Sequence, residues 1–261
     1  MELRDKVVIV TGAGSGVGRA LALQFGAGGA RVVCVARRIG RIEKTAAAVA
    51  AEGGEALAVQ ADVTDIVQVE HMVSQSLDAF GQIDVLFNNA GSFGAIGAVW
   101  EVDPELWWHD VTVNLRGTML CCRAVLPHMR KRDTGILINM AGGNQIPGGT
   151  GYSCSKVGVN RFTELLAKEL KHAKSSVLAF IMGPGFVRTE MTEMQIETPE
   201  GQKWLPSSKD TVEQGRDRPP EDCARAAVAL IRVACPELSG GSFGPDTDFD
   251  NVLREAKQRA D

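Results

Sequence analysis

Short runs of consecutive apolar residues alternate along the chain with longer stretches in which apolar positions recur every three or four residues. The short runs are residues 6–11, 31–36, 55–60, 83–88, 135–140 and 175–182, rich in Val, Ile and Leu and ended by polar or Gly-containing turns. Short segments in which Val, Ile and Leu stand at consecutive positions predict strands buried on both faces, as in a parallel sheet. Between them, residues 16–27, 39–52, 65–80, 104–130 and 151–172 carry helical periodicity, and Gly53-Gly54 stops the second of these just before the third strand. Strand and helix in unbroken alternation imply right-handed βαβ units in a doubly wound α/β fold, with helices on both faces of an open, mostly parallel sheet. No linker or repeat interrupts the pattern, so residues 1–261 are expected to form a single domain. Residues 189–220 depart from it. They are polar, hold four Pro, and set Met191, Met194, Trp204 and Leu205 among charges. An irregular loop acting as a substrate lid is expected there. A helix over 221–233, a short strand at 242–245 and a terminal helical segment follow.

Composition narrows the function classes. The 28 Lys and Arg stand against 32 Asp and Glu, a formal charge of −4, which offers no general attraction to nucleic acid or an anionic membrane. No stretch approaches the ~20 apolar residues that span a bilayer. The N-terminus runs into its first strand without signal-peptide architecture, so a cytoplasmic location is expected. Cys34, Cys121, Cys122, Cys154, Cys223 and Cys235 show no metal-ligand spacing and fit a reducing compartment. No metal is expected.

The first strand–helix junction reads Thr11-Gly12-Ala13-Gly14-Ser15-Gly16-Val17-Gly18. A helix N-terminus supplies free N–H groups and positive partial charge, and Gly lets that backbone approach a pyrophosphate. The spacing is G-x-x-x-G-x-G, and a tight turn with close helix packing would account for it alone. Further motifs stand in register with it: Asp62-Val63 after strand three, Asn88-Asn89-Ala90-Gly91 after strand four, and Asn114 in Val113-Asn114-Leu115-Arg116-Gly117. Tyr152-Ser153-Cys154-Ser155-Lys156 begins the helix after strand five, and Pro184-Gly185 runs through Val187 to Thr189 after strand six. In this order and spacing the chain resembles a single-domain short-chain dehydrogenase/reductase from residue 6 to about 235. The resemblance implies a Rossmann-type nucleotide-binding fold and an oxidoreductase acting between an alcohol and a carbonyl. It places the cofactor on Gly12, Gly14, Ser15, Gly16, Val17, Gly18, Asp62, Val63, Asn89, Ala90, Gly91, Tyr152, Lys156, Pro184, Gly185, Val187 and Thr189. Asp62 resembles the residue that meets adenine; a helix-start role before Thr64, itself a good N-cap, remains open.

In this family an acidic residue closing strand two indicates NAD. Here Ala36 stands there, followed by Arg37 and Arg38. Two guanidiniums without a carboxylate favour the 2′-phosphate of NADP(H), because Arg binds phosphate through bidentate charge-assisted bonds. Tyr152 and Lys156 lie four apart, on one helix face. A neighbouring ammonium is expected to lower the phenol's pKa from ~10. By resemblance, Tyr152 is the proton donor, Lys156 also holds the nicotinamide ribose, and the backbone of Asn114 keeps a water for proton relay. Tyr152 is also the only Tyr in the chain.

The family pattern breaks at strand five. Ile138-Asn139-Met140-Ala141-Gly142-Gly143-Asn144-Gln145 places Ala141 and Gly142 where the family carries a substrate-binding Ser. Asn144, or the N–H groups of Gly142 and Gly143, are candidates to replace that hydroxyl. The alternative is an NADP(H)-binding sensor or partner protein without catalysis. Phe93, Met191, Met194 and Trp204 fall in loops expected near the nicotinamide, which suits a medium-sized apolar ketone or alcohol. Adjacent pairs Trp107-Trp108 and Cys121-Cys122 point to different helix faces, so all four cannot share one core. By resemblance, this helix and the Tyr-bearing one build a homodimer or homotetramer.

Overall fold

The computed structural model describes the backbone of residues 1–143 and 145–260, and the side chains of all but the last two of these. Strands β1 (Val7–Thr11), β2 (Arg31–Ala36), β3 (Glu55–Gln60), β4 (Val85–Asn88), β5 (Ile136–Met140), β6 (Leu178–Met182) and β7 (Ser242–Phe243) form one sheet. Their order is β3-β2-β1-β4-β5-β6-β7 and every pairing is parallel. Helices α1 (Gly16–Ala27), α2 (Ile39–Ala51), α3 (Ile66–Phe80), α4 (Pro104–Val111), α5 (Gly117–Arg132) and α6 (Thr150–His172) join the first six strands. After β6 come α7 (Glu190–Glu197), α8 (Pro199–Trp204), α9 (Pro206–Glu213) and α10 (Pro220–Val233), with α11 (Phe249–Ala260) closing the chain.

Every residue of β1 is buried, and alternate ones serve opposite faces. Val8 and Val10 join Leu21 and Phe25 of α1 and Leu230 and Ile231 of α10. Val7 and Ile9 join Met72 of α3, Cys121 and Val125 of α5, and Leu166 of α6. Each such side chain removed from water contributes about 1.5–3 kcal/mol, which fixes a central strand between two helical layers. The sheet is therefore a Rossmann-type, doubly wound α/β arrangement. Its order reverses between β1 and β4, which opens a crevice at the carboxyl ends of these strands. Among the described residues no helix is long and apolar enough to cross a membrane, and no cluster of His, Cys, Asp and Glu could hold a metal ion.

Several expectations need correction. Residues 189–220 are not an irregular loop but three short helices, α7 to α9, tied back by a parallel bridge between Val187 and Arg218. Three of the segment's four prolines, Pro199, Pro206 and Pro220, each open a helix, where the missing N–H costs nothing. The single helix over 104–130 is instead α4, a π-helical turn over Thr112–Arg116, and α5. Asp65, not Thr64, caps α3, its carboxylate accepting from the N–H groups of Val67 and Gln68. The Trp and Cys pairs do not share one core, as expected, but Cys121 and Cys122 are both fully buried in the same one while Trp108 is exposed. Adjacent small side chains both find cover where a helix lies in the groove between sheet and neighbouring helices.

Candidate active site

A cleft of about 820 Å³ lies along the carboxyl ends of the strands. All of the residues assigned above to the cofactor line it, from Gly12 through Arg37, Arg38 and Asp62 to Thr189. Asn114 lies beneath the cleft, fully buried, and Asn144 lies outside the described residues.

The floor is the glycine turn. Gly16 has φ +51°, and a Cβ there would fall 2.9 Å from Thr189 Cγ2, so the turn and the start of α7 are in contact. A Cβ on Gly18 would fall 2.2 Å from the carbonyl oxygen of Gly12, so only Gly lets α1 approach its own turn this closely. Asn89 stitches β4 to the turn. Its side-chain amide donates to the carbonyl of Thr11 at 3.0 Å, and its own N–H donates to Thr11 Oγ1 at 3.1 Å. Asn89 thus supports the floor as well as lining the cleft.

One end of the cleft is cationic. Ala36 ends β2 without a carboxylate, and Arg37, Arg38 and Arg41 follow along the lining. Arg38 Nη2 lies 3.6 Å and Arg41 Nη1 2.5 Å from the carboxylate of Glu190, the first residue of α7. The Arg41 hydrogen bond, with the charges of both arginines, holds the Glu190 carboxyl below its ordinary pKa. Asp62 lines the same region, its Oδ1 accepting from the N–H and hydroxyl of Thr64 at 2.9 and 2.8 Å.

At the other end, Tyr152 and Lys156 project from the first turns of α6. The Tyr152 ring stacks on Phe93, with centroids 4.4 Å apart and planes 13° from parallel. Two glycines bracket this stack. A Cβ on Gly142 would lie 2.2 Å from Tyr152 Oη, and a Cβ on Gly149 would lie 2.6 Å from Phe93 Cζ. The position of the family Ser is therefore packed against the phenol, with no room for a side chain. Phe93 sits on the loop after β4, and Asp110 of α4 fixes that loop. Its buried carboxylate accepts from Ser92 Oγ at 2.6 Å and from the N–H groups of Gly94 and Ala95, both at 2.9 Å. Asn114, in the π-helical turn, accepts from Ser92 N–H at 2.8 Å, and its amide donates to the Ser92 carbonyl and to Ser155 Oγ, each at 2.9 Å. Its own carbonyl accepts from Thr118 Oγ1 at 2.7 Å. π-Helical turns concentrate at functional sites, where they free backbone groups from the regular ladder.

The electrostatics differ from expectation. Burial pushes Tyr152 up to about 12, aided by the negative charge of Asp110, and Lys156 does not pull it down. Lys156 is itself desolvated, which lowers it to about 8. Its ammonium donates to the Met140 carbonyl at 3.0 Å and lies 5.6 Å from the Tyr152 ring centroid. The phenol is thus a proton carrier at neutral pH.

Of the apolar residues expected at the mouth, Phe93 and Met191 line the cleft, with Ile146 and Leu205; Met194 and Trp204 are not part of the lining. Sequence reading passed over Arg41, Glu190 and Asp110. Arg41 had a signal, one helical turn beyond Arg38. So did Asp110, an acid four positions before Asn114 on a segment that must pack. Glu190 had none, since Arg41 is 149 residues away and Arg38 farther still.

Comparison with known proteins agrees with this architecture. A family model described as short chain dehydrogenase matches residues 6–200. A short chain dehydrogenase of Pseudocercospora fijiensis is 32% identical over 266 residues, covering 98% of this chain and 85% of the relative. A 3-oxoacyl-[acyl-carrier-protein] reductase of Synechocystis is 40% identical over 195 residues, covering 73% and 78%. Among solved structures, a variant of actinorhodin polyketide ketoreductase with NADPH superposes with a TM-score of 0.81 at 31% identity, covering 92% of this chain and 95% of that one. Levodione reductase gives 0.82 at 28% identity, covering 92% and 96%. Strand order, glycine turn and family match together identify the chain as a member of the short-chain dehydrogenase/reductase family of oxidoreductases, which use NAD(P)(H).

Proposed function

We propose that this chain reduces the carbonyl group of a medium-sized, largely apolar substrate with NADPH, and that Tyr152 donates the proton. The observation that carries the reading is the placement of Tyr152: its phenol is wedged between Gly142 and Phe93 and lines the cleft one helical turn from Lys156. A phenol keeps its proton at neutral pH and is a stronger acid than the alcohol that a developing alkoxide becomes, so it can give that proton up; burial, which holds Tyr152 above its ordinary pKa, works against the transfer. The residues fit the cofactor. Gly12 to Gly18 offer backbone to a diphosphate, and Arg37, Arg38 and Arg41 without an acid at position 36 favour a 2′-phosphate. The NADPH of the ketoreductase relative supports the same choice.

When bound, the cofactor supplies a hydride from nicotinamide C4 to the carbonyl carbon. Tyr152 Oη gives its proton to the carbonyl oxygen, completing the alcohol. Lys156, buried and cationic below about pH 8, would hold the ribose and offset the negative charge left on the phenolate once its proton is given up. Asn114 and Asp110 fix the loop that carries Phe93, which keeps water from one face of the phenol. The substrate half of the lining, Phe93, Ile146, Met191, Gln195, Leu205 and Ser208, carries no charge, which favours a neutral substrate. We also propose self-association, supported by the exposed apolar side chains Leu106 and Trp108 on α4 and Val157 and Leu165 on α6.

A second reading, an NADP(H)-binding protein without catalysis, is favoured by Gly142. Losing one oxyanion donor typically costs ~10²–10³ in rate. NADPH consumption at 340 nm over aromatic diketones, aliphatic ketones, steroids and acyl thioesters separates the two. Turnover that falls about 10²–10⁴-fold in Tyr152→Phe is expected. NADPH binding without turnover on any substrate class establishes the second reading.

A further inference from the structure

The three residues at the cationic end of the cleft form a bridge across it. Arg38 and Arg41 follow β2, on one wall, and Glu190 opens α7, on the other. Next to it, Thr189 rests on the glycine turn and caps α7, its hydroxyl and that of Thr192 exchanging hydrogen bonds with each other's backbone. The carboxylate therefore fastens the 189–213 segment to the wall proposed to hold the 2′-phosphate.

We infer that Glu190 is an anionic latch: its carboxylate holds Arg38 and Arg41, and the 2′-phosphate of NADP(H) must displace it to bind them, releasing the 189–213 segment from the β2 wall. The inference rests on the NADP(H) reading and adds to it a residue that opposes phosphate binding and couples it to the position of the lid. The physical reason is competition for donors. A guanidinium presents a limited fork of N–H groups, and Arg41 commits Nη1 to Glu190 Oε1. Carboxylate and phosphate are both anions, so side by side on the same two cations they repel. Arg37 also lines the cleft and, among the described residues, makes no ion pair. It offers the incoming phosphate a first partner before the carboxylate leaves. Glu190 is 58% exposed, so its exchange needs no unfolding.

The test uses the full chain, Glu190→Gln, and two adenosine phosphates, 2′,5′-ADP and 5′-AMP, titrated by calorimetry. Removing the charge while keeping the side chain's size should tighten 2′,5′-ADP about three- to tenfold, the scale of a pair of exposed ion pairs, and leave 5′-AMP within about twofold. In parallel, trypsin cleavage after Arg188, Lys203 or Lys209 reads the lid. Glu190→Gln should be cut faster than the wild type, and saturating 2′,5′-ADP, not 5′-AMP, should raise the wild-type rate toward that of the variant. A wild-type preference for 2′,5′-ADP that is unchanged in Glu190→Gln overturns the latch alone. Equal wild-type affinity for the two nucleotides overturns the NADP(H) reading and the latch with it.

Discussion

Restoring the family hydroxyl at Gly142 should damage this enzyme, not improve it. A Cβ at that position would lie 2.2 Å from Tyr152 Oη, 2.9 Å from Tyr152 Cζ and 3.1 Å from Lys156 Cγ. Carbon and oxygen normally approach no closer than about 3.3 Å, so Gly142→Ser must move the phenol oxygen by about 1 Å. The ring cannot retreat freely, because Phe93 stacks on it at 4.4 Å and Gly149 already leaves Phe93 no slack. A misplacement of about 1 Å at a reacting group can cost ~10²-fold in rate. Gly142→Ala should suffer the same loss, since the clash begins at Cβ and not at the hydroxyl. The assay is NADPH oxidation at 340 nm with the best substrate found for the wild type, beside a fluorescence titration of NADPH that should change little. Phe93→Ala in the same chain opens space beneath the ring, so its stability cost should be smaller in the Gly142→Ser background than alone, a non-additivity read by urea unfolding. Wild-type turnover or better in Gly142→Ser would refute the steric argument and show that the family hydroxyl can be housed here.

Other outcomes follow from the same geometry. Arg38→Ala and Arg41→Ala should each weaken NADPH about tenfold and NADH little, the scale of one charge-assisted hydrogen bond; equal weakening of both cofactors by titration would separate these residues from the phosphate. Reduction should be steady below about pH 8 and fall above it, as Lys156 loses the proton that its burial already disfavours, and Lys156→Arg should remove that limb from the profile. Because the unfolded chain keeps this proton up to about 10.5, stability should rise with pH from about 8 toward 10.5. Tyr152 opposes this from its ordinary value of 10 up to about 12, where the folded state holds the extra proton. Asp110→Asn should cost about 2–3 kcal/mol in urea unfolding, since an amide cannot accept from Ser92, Gly94 and Ala95 together, and should loosen the Phe93 loop.

The layers of the fold were legible because burial on both faces leaves a plain mark: β1, β4 and β5 are buried at every residue and mostly apolar, and the alternation with helices leaves few topologies. What was misread had a local signal that tertiary context reversed. Pro199, Pro206 and Pro220 punctuate in sequence and initiate in structure. Tyr152 and Lys156 are neighbours on one helix face, yet the ammonium turns to the Met140 carbonyl and the phenol is governed by burial and by Asp110. Spacing gives adjacency; it does not give the dielectric around a side chain. The glycine turn and Asn89 were legible as a cradle, whereas the pairing of Glu190 with Arg38 and Arg41 joins segments that no window along the chain can connect.

Gly142 shows how the departure from the family and the integrity of the site belong together. Read alone, it is a missing donor. Beside Gly149, it is one of two places where the backbone lies against an aromatic pair, and neither tolerates a Cβ. Phe93 reaches that pair only because Asp110 and Asn114 tie its loop down through Ser92, Gly94 and Ala95. The buried carboxylate, the stacked Phe and the second glycine thus form one packed unit around the phenol. Their mutual fit has a plain consequence. The phenol is held by packing between Gly142 and Phe93, so under the proposed function a fixed orientation of Tyr152 is what this arrangement offers in place of the missing donor, preorganising a single proton donor.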